Sequence, residues 1–394
     1  MKSRQKWIFT LILFSPLFIF ANPKFITVFE SNTSDLAINW IYNPVNPMEP
    51  VGLFQGKVQF KDLNINIEKK TVLLKSYGNN WNLTEINGNE KTKILKAKWY
   101  NFSGDLIGNL KMDWGFDSPL PEFILPENED NIIYFDLFNS FKIFNKTGDL
   151  LKETKILENY KFNYENNIHY SIANNSQNIL LGCTHFSADS VFENQVINTL
   201  VLTSFHGEKI FSTDLKKYQI TRVHALEKPE LYCVSTVILN PQKDSAEHST
   251  LMLNNSGEII NTLPFAFEQI YFDPLDHCIF LMNKRQIVCY NILSGQLLWK
   301  YSKRKEALFL KMIFVKEKNM VFILQGKIAE RAFQSGIPWH YDDLKIIAFD
   351  TKGNEFAELS LQKTIVYTPV FEYDKMQEVL FFGHSAGYKI IQFN

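Results

Sequence analysis

The chain has 394 residues, of which 45% are hydrophobic and 14% aromatic, a composition that favours a large core of flat β-sheets over a helical bundle. Its 41 basic and 42 acidic residues are interspersed along the sequence. The chain therefore lacks the basic surface typical of nucleic-acid binding, and that class of function is excluded.

The N-terminus has the pattern of a secretory signal peptide. Lys2, Arg4 and Lys6 precede the apolar run Trp7–Phe20, which ends at Ala21. This run is too short to span a bilayer as an ordinary helix, although an uncleaved anchor remains the alternative, and no later run is long enough to span one. We predict a signal peptide at residues 1–21 and a secreted or periplasmic mature chain, 22–394, without a membrane span.

The rest of the chain repeats one pattern of four strands. Six hairpins turn at a glycine, which supplies the positive φ that such a reversal needs: Trp99–Leu110, Phe141–Thr154, Leu200–Thr213, Leu251–Leu263, Ile287–Ser302 and Ile346–Leu359. Before each glycine hairpin lie two apolar stretches around a polar turn, for example Glu268–Met282 and Leu310–Leu324, and Pro369–Gly383 is the corresponding pair of the last unit. The repeating unit is therefore two hairpins.

Units of four short antiparallel strands, recurring at roughly 40–50 residues, are typical of a β-propeller. A ring of such sheets buries faces that one sheet leaves open, whereas a sandwich or a solenoid fits the unit length less well. We predict an all-β, single-domain propeller with seven four-stranded blades near residues 30–112, 116–155, 160–215, 218–263, 267–302, 306–361 and 365–394. Six or eight blades remain open.

The last unit ends after its third strand, Gly387–Asn394. The first apolar strand after the signal, Phe25–Glu30, is the expected donor of the missing outer strand. Such a donation would tie the two ends of the chain together in one blade and close the ring.

The segment Tyr290–Trp299 (YNILSGQLLW) is similar to the repeat of quinoprotein-like propellers, in which an apolar strand leads to a turn ending in Gly and then to an apolar pair and Trp. Trp299 is the one tryptophan at that place in the six hairpins, and neither the paired cysteines nor the carboxylate cluster of the quinone-binding members can be matched. The Gly-His and Trp-Asp dipeptides of WD-repeat proteins are also out of place. The resemblance implies a propeller fold and a location outside the cytoplasm. It does not imply a cofactor or an active site.

Strand order places the long insertions on one face of the predicted ring, because they join the second and third strands of their units. These insertions are Thr184–Asn198, Asn240–Ser249 and Gln325–Lys345, and the short segment Gly383–Gly387 occupies the same place in the last blade. Long loops on one face of a rigid scaffold are common binding sites. The candidate binding residues on them are His185, Asp189, His248, Trp339, His340, Tyr341, Asp342, Asp343 and His384.

The run Trp339–Asp343 is the most concentrated of these candidates. An indole and a phenol beside an imidazole and two carboxylates can stack a sugar or hold a cation. The alternative is a loop that packs its aromatic rings on the blade edge and exposes its acids. A metal held by His185, His248 and His384 would need three loops to converge, which nothing in their spacing requires. We predict no metal, no cofactor and no catalytic residue.

Four cysteines, Cys183, Cys233, Cys278 and Cys289, all lie inside apolar runs. An exported protein with an even number of cysteines can form disulfides, and Cys278 with Cys289 is the favoured pair because a short turn joins their strands. Buried free thiols are the competing interpretation.

Two functions follow from these patterns. The first is an exported, non-catalytic propeller that binds a protein or glycan partner through the loop-rich face. The second is an enzyme (a hydrolase, a lyase or a quinone-dependent oxidoreductase) with its site at the axial channel. Three or more inward polar groups at the axial channel, with a strongly shifted carboxylate or histidine pKa, would favour the enzyme. A broad apolar rim containing Trp339 and Tyr341 would favour the partner. The oligomeric state is not predicted.

Overall fold

A computed structural model of the chain describes residues 24–393, apart from 34–36, 56, 68–70, 78–79, 89–92, 115–121, 127–130, 136–139, 159–166, 174–175, 187–195, 228–229, 241–244, 303–305, 329–339, 362–363 and 367–368. The predicted signal peptide lies outside the described residues. No helix in the described ranges is long and apolar enough to cross a membrane.

The described residues form eight antiparallel sheets, which we call blades one to eight in chain order. Blade one contains β2 (Ala37–Ile41), β3 (Val51–Phe54), β4 (Lys57–Phe60) and β5 (Leu63–Asn66). Blade two contains β6 (Thr71–Tyr77), β7 (Asn80–Gly88), β8 (Lys93–Asn101) and β9 (Leu106–Trp114). Blade three contains β10 (Glu122–Ile124), β11 (Asn131–Phe135), β12 (Ser140–Asn145) and β13 (Leu150–Lys155). Blade four contains β14 (Asn167–Ala173), β15 (Asn178–Phe186), β16 (Val196–Ser204) and β17 (Lys209–Asp214).

The remaining four blades follow the same order. Blade five contains β18 (Gln219–Glu227), β19 (Glu230–Asn240), β20 (Ser245–Leu253) and β21 (Ile259–Leu263). Blade six contains β22 (Gln269–Asp273), β23 (Cys278–Met282), β24 (Gln286–Asn291) and β25 (Leu297–Ser302). Blade seven contains β26 (Leu308–Val315), a 3-10 turn (Lys316–Lys318), β27 (Met320–Ile328), β28 (His340–Asp350), β29 (Glu355–Ser360) and the added strand β30 (Thr364–Val366). Blade eight contains β31 (Val370–Asp374), β32 (Val379–His384), β33 (Gly387–Phe393) and β1 (Phe25–Asn32).

The eight sheets form a β-propeller, as predicted. The described part of the chain holds eight apolar clusters, and each cluster joins two consecutive blades. One of them contains Trp40 and Phe54 of blade one together with Phe381 and Tyr388 of blade eight, so the last blade packs on the first. First strands of neighbouring blades also contact one another, which places them around the axis. A complete ring of interfaces is what lets each sheet bury both faces.

The predicted ring closure is confirmed. β1 pairs with β33 in antiparallel register from Phe25 opposite Phe393 to Asn32 opposite Gly387. The ring of Phe25 lies 4.8 Å from that of Phe393 and 5.9 Å from that of Phe322, inside the cluster between blades seven and eight. Burial of this aromatic group adds to the backbone pairing that holds the two chain ends together.

The blade count is eight among the described residues rather than seven, because the first predicted unit, 30–112, contains two sheets. Blade one lacks a glycine at its outer hairpin. It turns instead at Lys61 and Asp62, with Lys61 in the left-handed region at φ 50°. Trp81, which breaks the sequence pattern of that unit, is fully buried in blade two and stacks on Tyr100 at 4.4 Å.

The glycine hairpins share a second feature that fixes their geometry. In each one the residue at the end of the third strand accepts backbone N–H groups of the turn through its side-chain oxygen: Asn101, Asn145, Ser204, Asn254, Asn291 and Asp350. The glycine that follows has a positive φ, for example 86° at Gly353. These Asx-type turns are local, so they form from sequence alone.

Trp299, the residue that carries the quinoprotein-like resemblance, joins blade six to blade seven. Its Nε1 donates to the carbonyl oxygen of Thr351 at 2.8 Å, and a Cβ added at Gly353 would lie 2.7 Å from the indole. The tryptophan and the glycine therefore fit each other across the blade interface.

All four cysteines are buried free thiols. Cys278 opposes Asn291 and Cys289 opposes Phe280, so the favoured pair occupies diagonal positions on β23 and β24. Burial raises the pKa of Cys183 and of Cys233 to about 12, which keeps both thiols protonated and unreactive at neutral pH.

Candidate functional site

Four hairpins among the described residues project from one face of the ring, on blades two, four, five and seven. In blade five, β18 pairs with β19 only as far as Val237, yet β19 and β20 continue to pair up to Asn240 opposite Ser245. Hairpins of this kind join the second and third strands, so they lie on the face predicted to carry the long insertions. We call this surface the hairpin face.

The blade-five hairpin has open strand edges. β21 pairs with β20 at Thr250–Leu253, so in the described structure Ser245–Ser249 have a strand partner on the β19 side only. The side chain of Leu239 is 64% exposed near the end of the hairpin. Within the described structure the hairpin thus presents a strand edge without a second strand partner, and an apolar side chain, to solvent.

The blade-seven hairpin is widened by an extra strand. β27 and β28 pair at Lys327 opposite Asp342 and at Ile328 opposite Tyr341, beyond the point where β26 ends. β30, from the link to blade eight, pairs with β28 along His340–Asp342. In blade four, β15 and β16 likewise continue to Phe186 opposite Val196.

The predicted aromatic and acidic run does not present one surface. Tyr341 is buried in the cluster between blades seven and eight. Asp342 is half-buried, and its Oδ1 has no hydrogen-bond partner among the described residues. Asp343 is exposed and pairs with Lys327 at 3.2 Å, which raises the pKa of that lysine.

The remaining members of the predicted set are described only in part or lie outside the described ranges. Trp339 and Asp189 belong to segments outside the described residues. His340 is described as a strand residue of β28.

The three candidate histidines lie on three different blades. His185 is buried, with Nε2 3.1 Å from the hydroxyl of Thr199. His384 is buried beside Phe382, and its Nδ1 accepts from the amide of Ala386 at 3.2 Å. The described residues contain no group of three His, Cys, Asp or Glu side chains able to hold a metal ion.

Burial lowers the pKa of His384 to about 4, so its ring is neutral at pH 7. His248 is exposed and lines a small cavity of about 290 Å³ with Arg222 and Ser235. Of the three histidines, His248 is the one placed to contact a ligand in solution.

A larger cavity of about 750 Å³ follows the axis of the ring. Its wall is made by the first strands of blades four to seven, β14, β18, β22 and β26, and by the start of the 3-10 turn. Arg222, Phe267 and Glu268 line both this axial cavity and the small cavity beside His248, so the two spaces adjoin.

Polar side chains also close the open edges of these inner strands. The amide of Gln269 on β22 donates to the carbonyl of Leu310 at 3.1 Å and accepts from the N–H of Met312 at 2.8 Å. The hydroxyl of Ser171 on β14 accepts from the N–H of Ala225 at 3.0 Å. Such bonds satisfy backbone groups that would otherwise face the cavity unpaired.

Tyr271, which lines the axial cavity, and His169, which lies 3.3 Å from Nη1 of Arg222, both have shifted pKa values. Burial and the neighbouring Arg222 lower the pKa of His169 to about 4. Burial and the charge of Glu372 raise the pKa of Tyr271 to about 12. At pH 7 the imidazole is therefore neutral and the phenol protonated, which suits them to hydrogen bonding.

Sequence reasoning did not nominate the residues of this wall. Arg222, Gln269 and Lys311 lie inside apolar strands such as ITRVHAL and EQIYFD, where they are easily taken for solvent-facing positions. The available signal was a polar residue in the first strand of each unit, the strand that lies at the axis.

Comparison with protein-family models finds no match, and comparison with curated proteins finds none either. Solved structures of similar fold include BamB from Moraxella catarrhalis, at 8% identity and a TM-score of 0.53 over 93% of this chain and 99% of BamB. The Dos1 propeller matches at 10% identity and a TM-score of 0.55 over 94% of each chain. Raptor from Chaetomium thermophilum matches at 8% identity and a TM-score of 0.51 over 95% of this chain and 30% of its own. At these identities the likeness shows the β-propeller fold alone.

Proposed function

We propose that this chain is an exported, non-catalytic β-propeller that binds a protein partner through the hairpin face. The open edge of β20 at Ser245–Ser249 is the observation that carries the proposal. Backbone N–H and C=O groups on such an edge accept a further strand, and main-chain pairing of this kind is a common mode of peptide recognition.

A protein fits this face better than a glycan, the other partner considered from the sequence. Stacking of a sugar needs an exposed aromatic ring, and Tyr341, which is the stacking candidate that lies among the described residues, is buried. The blade-five hairpin instead offers the apolar side chain of Leu239 next to an open strand edge. Apolar side chains beside main-chain acceptors suit an extended protein segment.

Crosslinking in the native cell tests the proposed face. A photoreactive phenylalanine analogue replaces Leu239, and in a matched control it replaces Leu275, which is 70% exposed on a turn at the opposite face. We expect one discrete crosslinked protein from position 239 and none from position 275. Equal crosslinking at the two positions, or none at either, would contradict the proposed face.

A second variant tests the pairing itself. Ala246→Pro removes the N–H of an exposed residue on β20 and adds a ring that a neighbouring strand cannot accommodate. Ala246→Ser is its control. If a partner strand adds at this edge, the proline variant abolishes the crosslink from position 239 and the serine variant keeps it.

Export is the second part of the proposal, and the N-terminal sequence supports it. Cleavage after Ala21 would give a mature protein beginning at Asn22. The intact mass of the protein recovered from the extracytoplasmic fraction measures this directly. Recovery of the full-length chain in the cytoplasm would refute export and leave the crosslinking test unaffected.

A further inference from the structure

The axial cavity has an excess of positive charge. Arg222 on β18, Lys311 on β26 and Lys316 at the end of β26 line it, and Glu268 is the one carboxylate among the described residues of its wall. Glu268 is exposed and, like Arg222, lies at the end that adjoins the small cavity, so Lys311 and Lys316 have no carboxylate beside them among the described wall residues of β26 and its turn. Low-dielectric walls around such charges concentrate anions.

Arg222 lies in this cavity without an acidic partner. Its Nη1 donates to the carbonyl of Thr221 at 3.0 Å and lies 3.3 Å from Nδ1 of His169. No carboxylate among the described residues lies within ion-pair distance of Arg222. A guanidinium carries five N–H donors in a planar fork, so several stay available to a ligand.

The backbone and a neighbouring ring both fix the direction of this guanidinium. The register of β18 against β19 shifts between Ile220 and Arg222, and a bulge of this kind re-aims the side chain that follows it. The His169 ring is neutral at pH 7, so its Nδ1 accepts a hydrogen bond from the guanidinium of Arg222. A neutral ring also adds no positive charge that would repel the guanidinium.

The opposite side of the cavity supplies further cations. Lys311 is half-buried and lies 3.7 Å from Glu372 on β31, a separation at which the pair leaves ammonium donors uncommitted. Lys316 is exposed at the turn and has no carboxylate within ion-pair distance in the described ranges. The cations therefore lie on two strands separated by blade six.

We infer that the axial cavity binds a small organic anion that carries at least two acidic groups, carboxylate or phosphate. Arg222 would hold one group through its fork, and Lys311 with Lys316 would hold the other. A volume of about 750 Å³ is within the range of small-molecule sites. This site adjoins the hairpin face through the small cavity that Arg222 shares with His248, but neither proposal depends on the other.

Calorimetric titration of the mature chain with citrate and with inorganic pyrophosphate tests the inference. We expect saturable binding of at least one probe, weakening as salt is raised because the interaction is electrostatic. Citrate alone would identify carboxylate as the preferred group, and pyrophosphate alone would identify phosphate. Binding of neither probe at low salt would overturn the inference.

Three variants assign the binding to this cavity. Arg222→Gln should weaken it at least tenfold, because it removes a fork that no other residue replaces. Lys316→Gln, in an exposed turn that tolerates change, should weaken it about threefold to fivefold by loss of one charge. Lys300→Gln, on the outer strand β25, removes an exposed charge far from the axis and should have no effect.

The variants also separate a specific site from general charge. Circular dichroism and the melting temperature confirm that each variant is folded before titration. If Arg222→Gln and Lys316→Gln bind as tightly as the wild type, or if Lys300→Gln weakens binding equally, the cavity is not the site and the inference fails.

Discussion

The Gly387→Ala substitution, which adds a single methyl group, tests how β1 closes the ring. Gly387 begins β33 opposite Asn32 of β1, with φ at 150°. A Cβ built on it would lie 1.9 Å from the carbonyl oxygen of Ser31, a distance that no rotamer change can relieve because both groups belong to the backbone. Gly387→Ala must therefore push β1 away from the closing blade.

The cost can be worked out by comparison with Gly104. Gly104 has φ at 101°, and the nearest atom to an added Cβ, on Phe60, is 3.9 Å away. Gly104→Ala therefore measures the backbone penalty alone, about 1 kcal/mol. Gly387→Ala adds the loss of about two backbone hydrogen bonds at roughly 1 kcal/mol each, so we expect about 3 kcal/mol in total.

Urea unfolding of the two variants and the wild type gives these free energies. Hydrogen exchange then locates the change, since the amides of Ser31, Asn32 and Thr33 should lose protection in Gly387→Ala and keep it in Gly104→Ala. Thr33 reports directly because its N–H donates to the carbonyl of Ala386 at 2.9 Å. Equal destabilisation of the two variants, with protection kept at Ser31–Thr33, would refute the steric argument.

Three further perturbations have expected outcomes that urea unfolding can measure. Gln269→Leu leaves two backbone groups of β26 without their side-chain partner and should cost about 1 to 2 kcal/mol, whereas Lys300→Gln should be neutral. Asn254→Ala removes an oxygen that accepts from two turn N–H groups, at 3.0 Å each, and should cost about 1 kcal/mol, most of which Asn254→Asp should retain. The pKa of His384 is about 4 in the folded state and about 6.5 when unfolded, so its neutral form stabilises the fold above pH 6.5, and this stability is lost as the pH falls towards 4. By pH 5 the loss is about 2 kcal/mol. The difference in unfolding free energy between wild type and His384→Asn should therefore narrow by that amount from pH 8 to pH 5. A constant difference would show that the ring does not titrate in this way.

The fold could be predicted from the sequence because its signals are local. Hairpins such as Asn254–Glu258 carry both the glycine and the side-chain oxygen that define their turn. The donor strand of blade eight could also be predicted, since an unpaired third strand at one end of the chain needs a partner from the other. Blade one was not predicted as a separate sheet, because its outer hairpin has Lys61 at the positive φ that a glycine adopts in the other hairpins. Its strands of four residues are also too short to show a clear alternation of apolar and polar residues.

The candidate site was less predictable because burial depends on register. Connectivity alone puts Tyr341 and Asp342 on the hairpin face, but a register shift between Gln325 and Lys327 helps decide which side chain points into the blade interface. His384 lies next to glycine and serine in a sequence typical of an exposed loop, yet its backbone carbonyl accepts from Trp40 at 2.8 Å, within the contact between blades one and eight. Contacts between residues 344 positions apart leave no trace in local sequence.

The same physics explains why a shared fold says little about function here. Each blade interface needs only alternating apolar residues and a tight turn, so chains with 8–10% identity can share the β-propeller fold. Two features of the described structure lie where the ring does not need them: the strand pairs that continue past β18 and β26, and a guanidinium at the axial cavity with no described carboxylate within ion-pair distance. An open edge is costly if it is left unused, because it invites aggregation, and an exposed guanidinium at a cavity keeps donors available to an anion. Crosslinking at Leu239 and titration of Arg222→Gln examine these two features separately, and either result stands if the other fails.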